Sequence, residues 1–183
     1  MTVSRLKAVP MKQSFFKYFI TLMLIYIAFP ANAADGWRAE LPDLKLVGSG
    51  KLKVFFMDIY KLRLYSANGR YSSEDNFVLE FEYLKPVSKN TIVDASISEL
   101  SKLFDVTLQQ KTLWRGMLNR GISDMEAGEM AAVTFLKPGN IKFYSRGEMQ
   151  ASFNNPKFKE YFASIWLGKR TSRPNLKKQL LGQ

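Results

Sequence analysis

Hydrophobic and polar positions alternate most cleanly at residues 77–83 (FVLEFEY), where Phe77, Leu79, Phe81 and Tyr83 share one side and Glu80 and Glu82 the other. A period of two places successive side chains on opposite faces, so this is a strand with one dry and one wet face. Leu62 and Leu64 alternate with Lys61, Arg63 and Tyr65 at the end of residues 51–65 (KLKVFFMDIYKLRLY), which read as one long strand or two with a bend. Residues 44–47 (LKLV) read as a short strand that stops at Gly48-Ser49-Gly50, with the glycine pair as a turn, and residues 34–42 as an irregular lead-in. Asn68-Gly69 is a turn dipeptide. Residues 130–136, 141–145 and 148–153 read as three consecutive antiparallel strands. The first two meet across Lys137-Pro138-Gly139-Asn140, with Pro-Gly centring a tight turn, and Arg146-Gly147 makes the second turn.

The period then changes. Val93, Ile97, Leu100 and Phe104 recur at helical steps after Pro86 and Ser88, and Leu113, Trp114, Met117 and Leu118 continue into a second helix ending near Gly121. Asn155 caps a third, with Pro156 in its first position and Gly168 at its end. Its stripe of Phe158, Tyr161, Phe162, Ile165 and Trp166 should bury against the sheet. Thr171-Ser172-Arg173-Pro174 opens a last short helix with Leu176, Leu180 and Leu181 apolar. The sum is an α+β fold: an antiparallel sheet of about six or seven strands with helices gathered on one face.

The N-terminus follows different rules. Residues 1–33 hold Arg5, Lys7, Lys12 and Lys17 and no acid, then an apolar run over residues 18–29, then Pro30 and Ala31-Asn32-Ala33. A basic start, a short apolar stretch and an A-x-A site describe a secretory signal peptide cleaved between Ala33 and Ala34. The run of 12 is shorter than the roughly 20 apolar residues that span hydrocarbon. The expected product is a single domain over residues 34–183, exported to a bacterial periplasm.

Composition removes reaction classes. The 183-residue chain has no Cys and no His, so it offers no disulfide, thiolate nucleophile, Cys/His zinc site, Ser-His-Asp triad or histidine acid–base pair. No cofactor motif and no metal-ligand spacing stand out. The acidic residues 123–129 (SDMEAGE) lack EF-hand spacing and read as a solvated loop, and no GK[ST] follows Gly48-Ser49-Gly50. Glu80 and Glu82 read as solvent-facing residues rather than as a catalytic pair.

Four of the 27 basic residues lie in residues 1–33, which leaves 23 against 16 acids, a net +7. Residues 157–183 carry +6 of it through Lys157, Lys159, Lys169, Arg170, Arg173, Lys177 and Lys178 against Glu160. Such a segment is either a solvated helix face or a weak contact with an anionic partner such as a membrane surface. No motif points to nucleic acid.

Leu46-Val47-Gly48-Ser49-Gly50 with residues 55–65 (FFMDIYKLRLY), and the closing Ile165-Trp166-Leu167-Gly168 with Thr171-Ser172-Arg173-Pro174, resemble the chalcone isomerase-like family, closest to its bacterial exported branch. The resemblance implies an open-faced β-sandwich, a large antiparallel sheet covered by helices. Plant enzymes of the family cyclise a chalcone with an arginine soon after the first glycine turn. Its fatty-acid-binding relatives use that arginine on the ligand carboxylate. Ungapped matching from Gly50 to Tyr60 puts Leu52 there, flanked by Lys51 and Lys53 on the other strand face. Tyr60 stands where the plant enzymes have a threonine and the fatty-acid-binding relatives an aromatic hydroxyl.

The broken arginine position argues against chalcone cyclisation and weakens the fatty-acid carry-over as well. The leading reading is a non-catalytic protein that holds a small apolar or anionic, fatty-acid-like ligand, or acts as an accessory factor. Candidate wall residues are Tyr60, Trp114, Arg115 and Tyr144, whose ordinary alternative is core and rim packing. Two other readings stay open. One is an isomerase or lyase on a phenolic or enone, using a Tyr hydroxyl with a Lys or Arg electrophile. The other is a structural or protein-partner role in the envelope.

Overall fold

The computed structural model describes residues 36–183. The expected signal segment and its expected cleavage between Ala33 and Ala34 lie outside the described residues. Helix α1 (Gly36–Glu40) leads into strands β1 (Lys45–Val54), β2 (Met57–Ser66) and β3 (Phe77–Tyr83). Helices α2 (Lys89–Leu103) and α3 (Leu108–Gly121) intervene before β4 (Met130–Leu136), β5 (Asn140–Ser145) and β6 (Glu148–Asn154), and the chain closes with α4 (Pro156–Leu167) and α5 (Pro174–Leu180). The six strands form one antiparallel sheet in sequence order.

Local chemistry sets the helix starts. Ser88 accepts from the Thr91 amide, Thr107 and Gln110 form a reciprocal capping box, and Asn155 accepts from the Phe158 amide with Pro156 next in line. The main core lies between one sheet face and the helices. Leu62, Leu64, Leu79, Phe81, Val133, Phe135 and Phe143 from the strands meet Val93, Leu100, Leu118, Phe158 and Phe162.

Three local expectations change. Gly48 and Gly50 sit inside β1 rather than in a turn. A Cβ on Gly48 would come within 2.3 Å of the Gln179 carbonyl oxygen, and one on Gly50 within 2.7 Å of Leu176 Cδ1. The glycines therefore let α5 lie directly on β1. The chain reverses instead at Phe55 and Phe56. The lead-in is helical: α1 covers the second sheet face, where Trp37 packs with Val78, Ala132 and Tyr144. Consequently that face is not wet at Glu80, which is buried and bonded to Trp37, Arg38, Arg63 and Tyr65.

Candidate functional site

A cavity of about 480 Å³ lies between the helix-covered face and the helices. Its floor comes from the strands. Leu52 and Tyr60 are ladder partners across β1 and β2, and Phe81 and Tyr83 point the same way from β3 because they are two residues apart. Its roof is Ile92, Ala95 and Ser96 of α2 with Phe162, Ile165 and Trp166 of α4. Helical spacing brings the last three onto one stripe.

Tyr60 is the best-positioned polar group. Its hydroxyl accepts a hydrogen bond from Trp166 Nε1 at 2.9 Å. Its ring meets Phe81 and Tyr83 edge-on, at centroid distances of 5.2 and 5.8 Å. Burial pushes the phenol up to about 12, so it stays protonated across the physiological range. Because Trp166 occupies an acceptor site, the Tyr60 proton remains to be donated into the cavity. Burial, with Tyr60 alongside, also raises Tyr83.

One end of the cavity is charged. Ser172 donates to Glu99 Oε2 at 2.7 Å and Lys102 to Glu99 Oε1 at 2.8 Å. Burial pushes Glu99 up, but these bonds and the charges of Lys102 and Arg173 outweigh it, so the carboxyl sits below its usual range. Arg173 lies exposed at the rim, close enough for its charge to act on both Tyr60 and Glu99. Among the described residues no carboxylate pairs with it. The cavity thus has apolar walls, a hydroxyl donor and a cation at its mouth. That is the arrangement needed for an apolar molecule with an acidic or carbonyl end.

The four expected wall residues separate. Tyr60 faces the cavity. Trp114 is buried in the seam between α3 and α4, its ring against Phe158 and Tyr161. Arg115, one position on, faces solvent and pairs with Asp94 of α2. Tyr144 edges the cavity, yet its ring packs on the second face with Trp37 and its hydroxyl donates to Glu40 at 2.8 Å. Strand alternation decides this, because Phe143 takes the inward position. Lys51 and Lys53 do not approach Tyr60; both hold Asp58, at 2.9 and 3.5 Å. The residues that join Tyr60 are Tyr83, Glu99 and Arg173. Tyr83 was visible in the alternation of β3, and Arg173 lay within the closing signature without a role.

Part of the basic C-terminal segment is used internally. Lys159 donates to the Leu136 carbonyl and Lys177 to that of Gly168, both at 3.2 Å, and Lys157 lies over the Tyr161 ring. Lys169, Arg170 and Lys178 are exposed.

A family model described as chalcone isomerase-like matches residues 31–182. The chain belongs to the chalcone isomerase-like family. No curated protein matches the sequence. Among solved structures, a fatty-acid binding protein of Arabidopsis thaliana is similar, with a TM-score of 0.58 at 9% identity over 76% of this chain and 87% of that one. At that identity the likeness establishes the fold. The expected α+β architecture of the chalcone isomerase-like family, an open antiparallel sheet with helices packed on it, is the one observed.

Proposed function

We propose that this chalcone isomerase-like protein is a non-catalytic carrier of a small apolar ligand with an acidic end, of the fatty-acid kind. One observation carries the reading: an apolar cavity lined by both Tyr60 and Arg173. Its volume of about 480 Å³ falls in the usual range for small-molecule pockets, roughly 300–1,000 Å³. The similar Arabidopsis protein is a fatty-acid binding protein, which favours the same ligand class here. The arginine that the family resemblance sets on the first strands is Leu52 in this chain. Arg173, at the cavity mouth, would supply the missing charge.

Titration with a long-chain fatty acid and its methyl ester tests this. The acid should bind in preference to the ester, and Tyr60→Phe and Arg173→Gln should each erase about tenfold of that preference, the size of one charge-assisted hydrogen bond. No saturable binding of either would refute it. Turnover of an enone by the unaltered protein, lost in Tyr60→Phe, would replace it with the isomerase reading.

We also place the protein in the periplasm, in a bacterial exported branch of the family. Support comes from the basic, apolar and A-x-A pattern of residues 1–33. Intact mass of the periplasmic protein should begin at Ala34; a protein retaining residues 1–33 would contradict export by cleavage.

A further inference from the structure

The turn between β1 and β2 exposes the largest apolar groups of the described surface. Phe55 is 90% and Phe56 100% exposed, and Met57 beside them is 53% exposed. Phe55 adopts a φ of 54°, a conformation that bulky residues rarely take. Two adjacent phenyl rings thus stand at a tip that no element among the described residues covers.

The tip adjoins the cavity. Val54, the last residue of β1, lines it, as do Ile59 of β2 and Pro86. The Leu84 amide donates to the Ile59 carbonyl at 2.9 Å, which sets Lys85 and Pro86 against the base of the hairpin. The exposed lining residues Pro86, Ser88 and Arg173 mark the mouth on this side.

The collar of the tip is basic. Residues 51–61 hold Lys51, Lys53 and Lys61 with Asp58 as their one acid, and Asp58 lies between Lys51 and Lys53. Lys85 adds a further exposed cation. Phenyl rings with lysines behind them match the boundary of an anionic bilayer, where the rings enter the acyl edge and the ammonium groups meet phosphates. A protein partner fits less well. Stable protein interfaces bury roughly 800 Å² per side, whereas an aromatic side chain offers roughly 150–250 Å², so two phenyl rings alone fall short.

We propose that the Phe55–Phe56 tip docks the protein on the surface of an anionic phospholipid bilayer, with the cavity mouth facing the membrane. The purpose, passing an apolar acid between bilayer and cavity, rests on the carrier reading; the docking itself does not, and it is measured without ligand.

Trp37, Trp114 and Trp166 are buried, so Phe56→Trp places the one exposed indole at the tip. This readout is local and independent of the apolar residues 18–29. On vesicles of phosphatidylethanolamine and phosphatidylglycerol, its emission should shift to the blue and be quenched by brominated acyl chains. Vesicles of phosphatidylcholine should give a weaker response. Phe55→Ser with Phe56→Ser should weaken co-sedimentation at least about tenfold while leaving fatty-acid binding intact. Lys53→Glu with Lys85→Glu should weaken binding only to the anionic vesicles, and added salt should do the same. An emission unmoved by vesicles would overturn the proposal. So would a shift that grows with protein concentration in their absence, which would assign the tip to contact between copies of the chain.

Discussion

Around Glu80 and around Tyr60 the two faces of the sheet treat their polar groups in opposite ways. Under α1, Glu80 is only 3% exposed, yet every direction around its carboxylate is answered. Arg38 Nη1 lies at 2.7 Å, and Arg63 Nη1, Trp37 Nε1 and the Tyr65 hydroxyl each lie at 3.3 Å. Glu40, at the end of α1, binds Lys142 and Tyr144 and closes that flap onto β5. Under α2 and α4 the reverse holds: Tyr60, whose hydroxyl accepts only from Trp166 among the described residues, and Arg173 line a space of about 480 Å³. A saturated buried network specifies architecture, because each member is already committed. Donors aimed into an apolar void remain available to a ligand, so chemistry resides on the second kind of face.

Trp37→Ala presses hardest on this contrast. It empties the centre of the small core under α1 and should cost about 3–5 kcal/mol by chemical denaturation. The fatty-acid affinity of the folded protein should not change. A parallel loss of affinity would show that the faces are coupled.

Gly48→Ala should cost less, about 1–3 kcal/mol, because its Cβ would push against the backbone of α5. Since Arg173 directly precedes α5, the same variant should also reduce the preference for acid over ester. Stability lost with that preference intact would detach Arg173 from the site.

Alkaline titration sharpens the cavity side alone. Burial raises Tyr60 from 10.0 to about 12, so the folded state favours the neutral phenol. That contribution to stability is complete below about pH 10 and is lost as pH rises through about 12. Tyrosinate absorbance should show one late-titrating group fewer in Tyr60→Phe. An unaltered late phase would mean that Tyr60 is not the buried phenol described. Arg115→Ala should do least. Its pair with Asp94 is exposed on both sides, 45% and 65%, and removing it should shift stability by under ~0.5 kcal/mol, with ligand binding unchanged.

Elements governed by near neighbours were readable from the residues alone. The alternation at 77–83 marks β3 from end to end, and Asn155-Pro156 marks the start of α4 at the correct position. What escaped depends on chain brought from far away. Gly48 and Gly50 look like a turn until α5, more than a hundred residues later, is seen lying on them. Glu80 looks solvent-facing because nothing nearby in sequence announces that Trp37 will cover it. The site divides in the same way. Tyr60 could be singled out on its own strand, whereas Arg173 gains meaning only when the loop after α4 brings it to the rim of the cavity that Tyr60 lines. Trp114 and Tyr144 have the half-polar character of binding residues, but helix rotation and strand parity, respectively, turn them elsewhere.

The most direct test of the carrier claim is mass spectrometry of the organic extract from protein purified without added lipid, set beside the same extract from Arg173→Gln. An apolar acid is expected near one molecule per chain in the unaltered protein, and a reduced amount in the variant. A folded, monodisperse protein that yields no such molecule, and takes up none when a fatty acid is supplied, would contradict it.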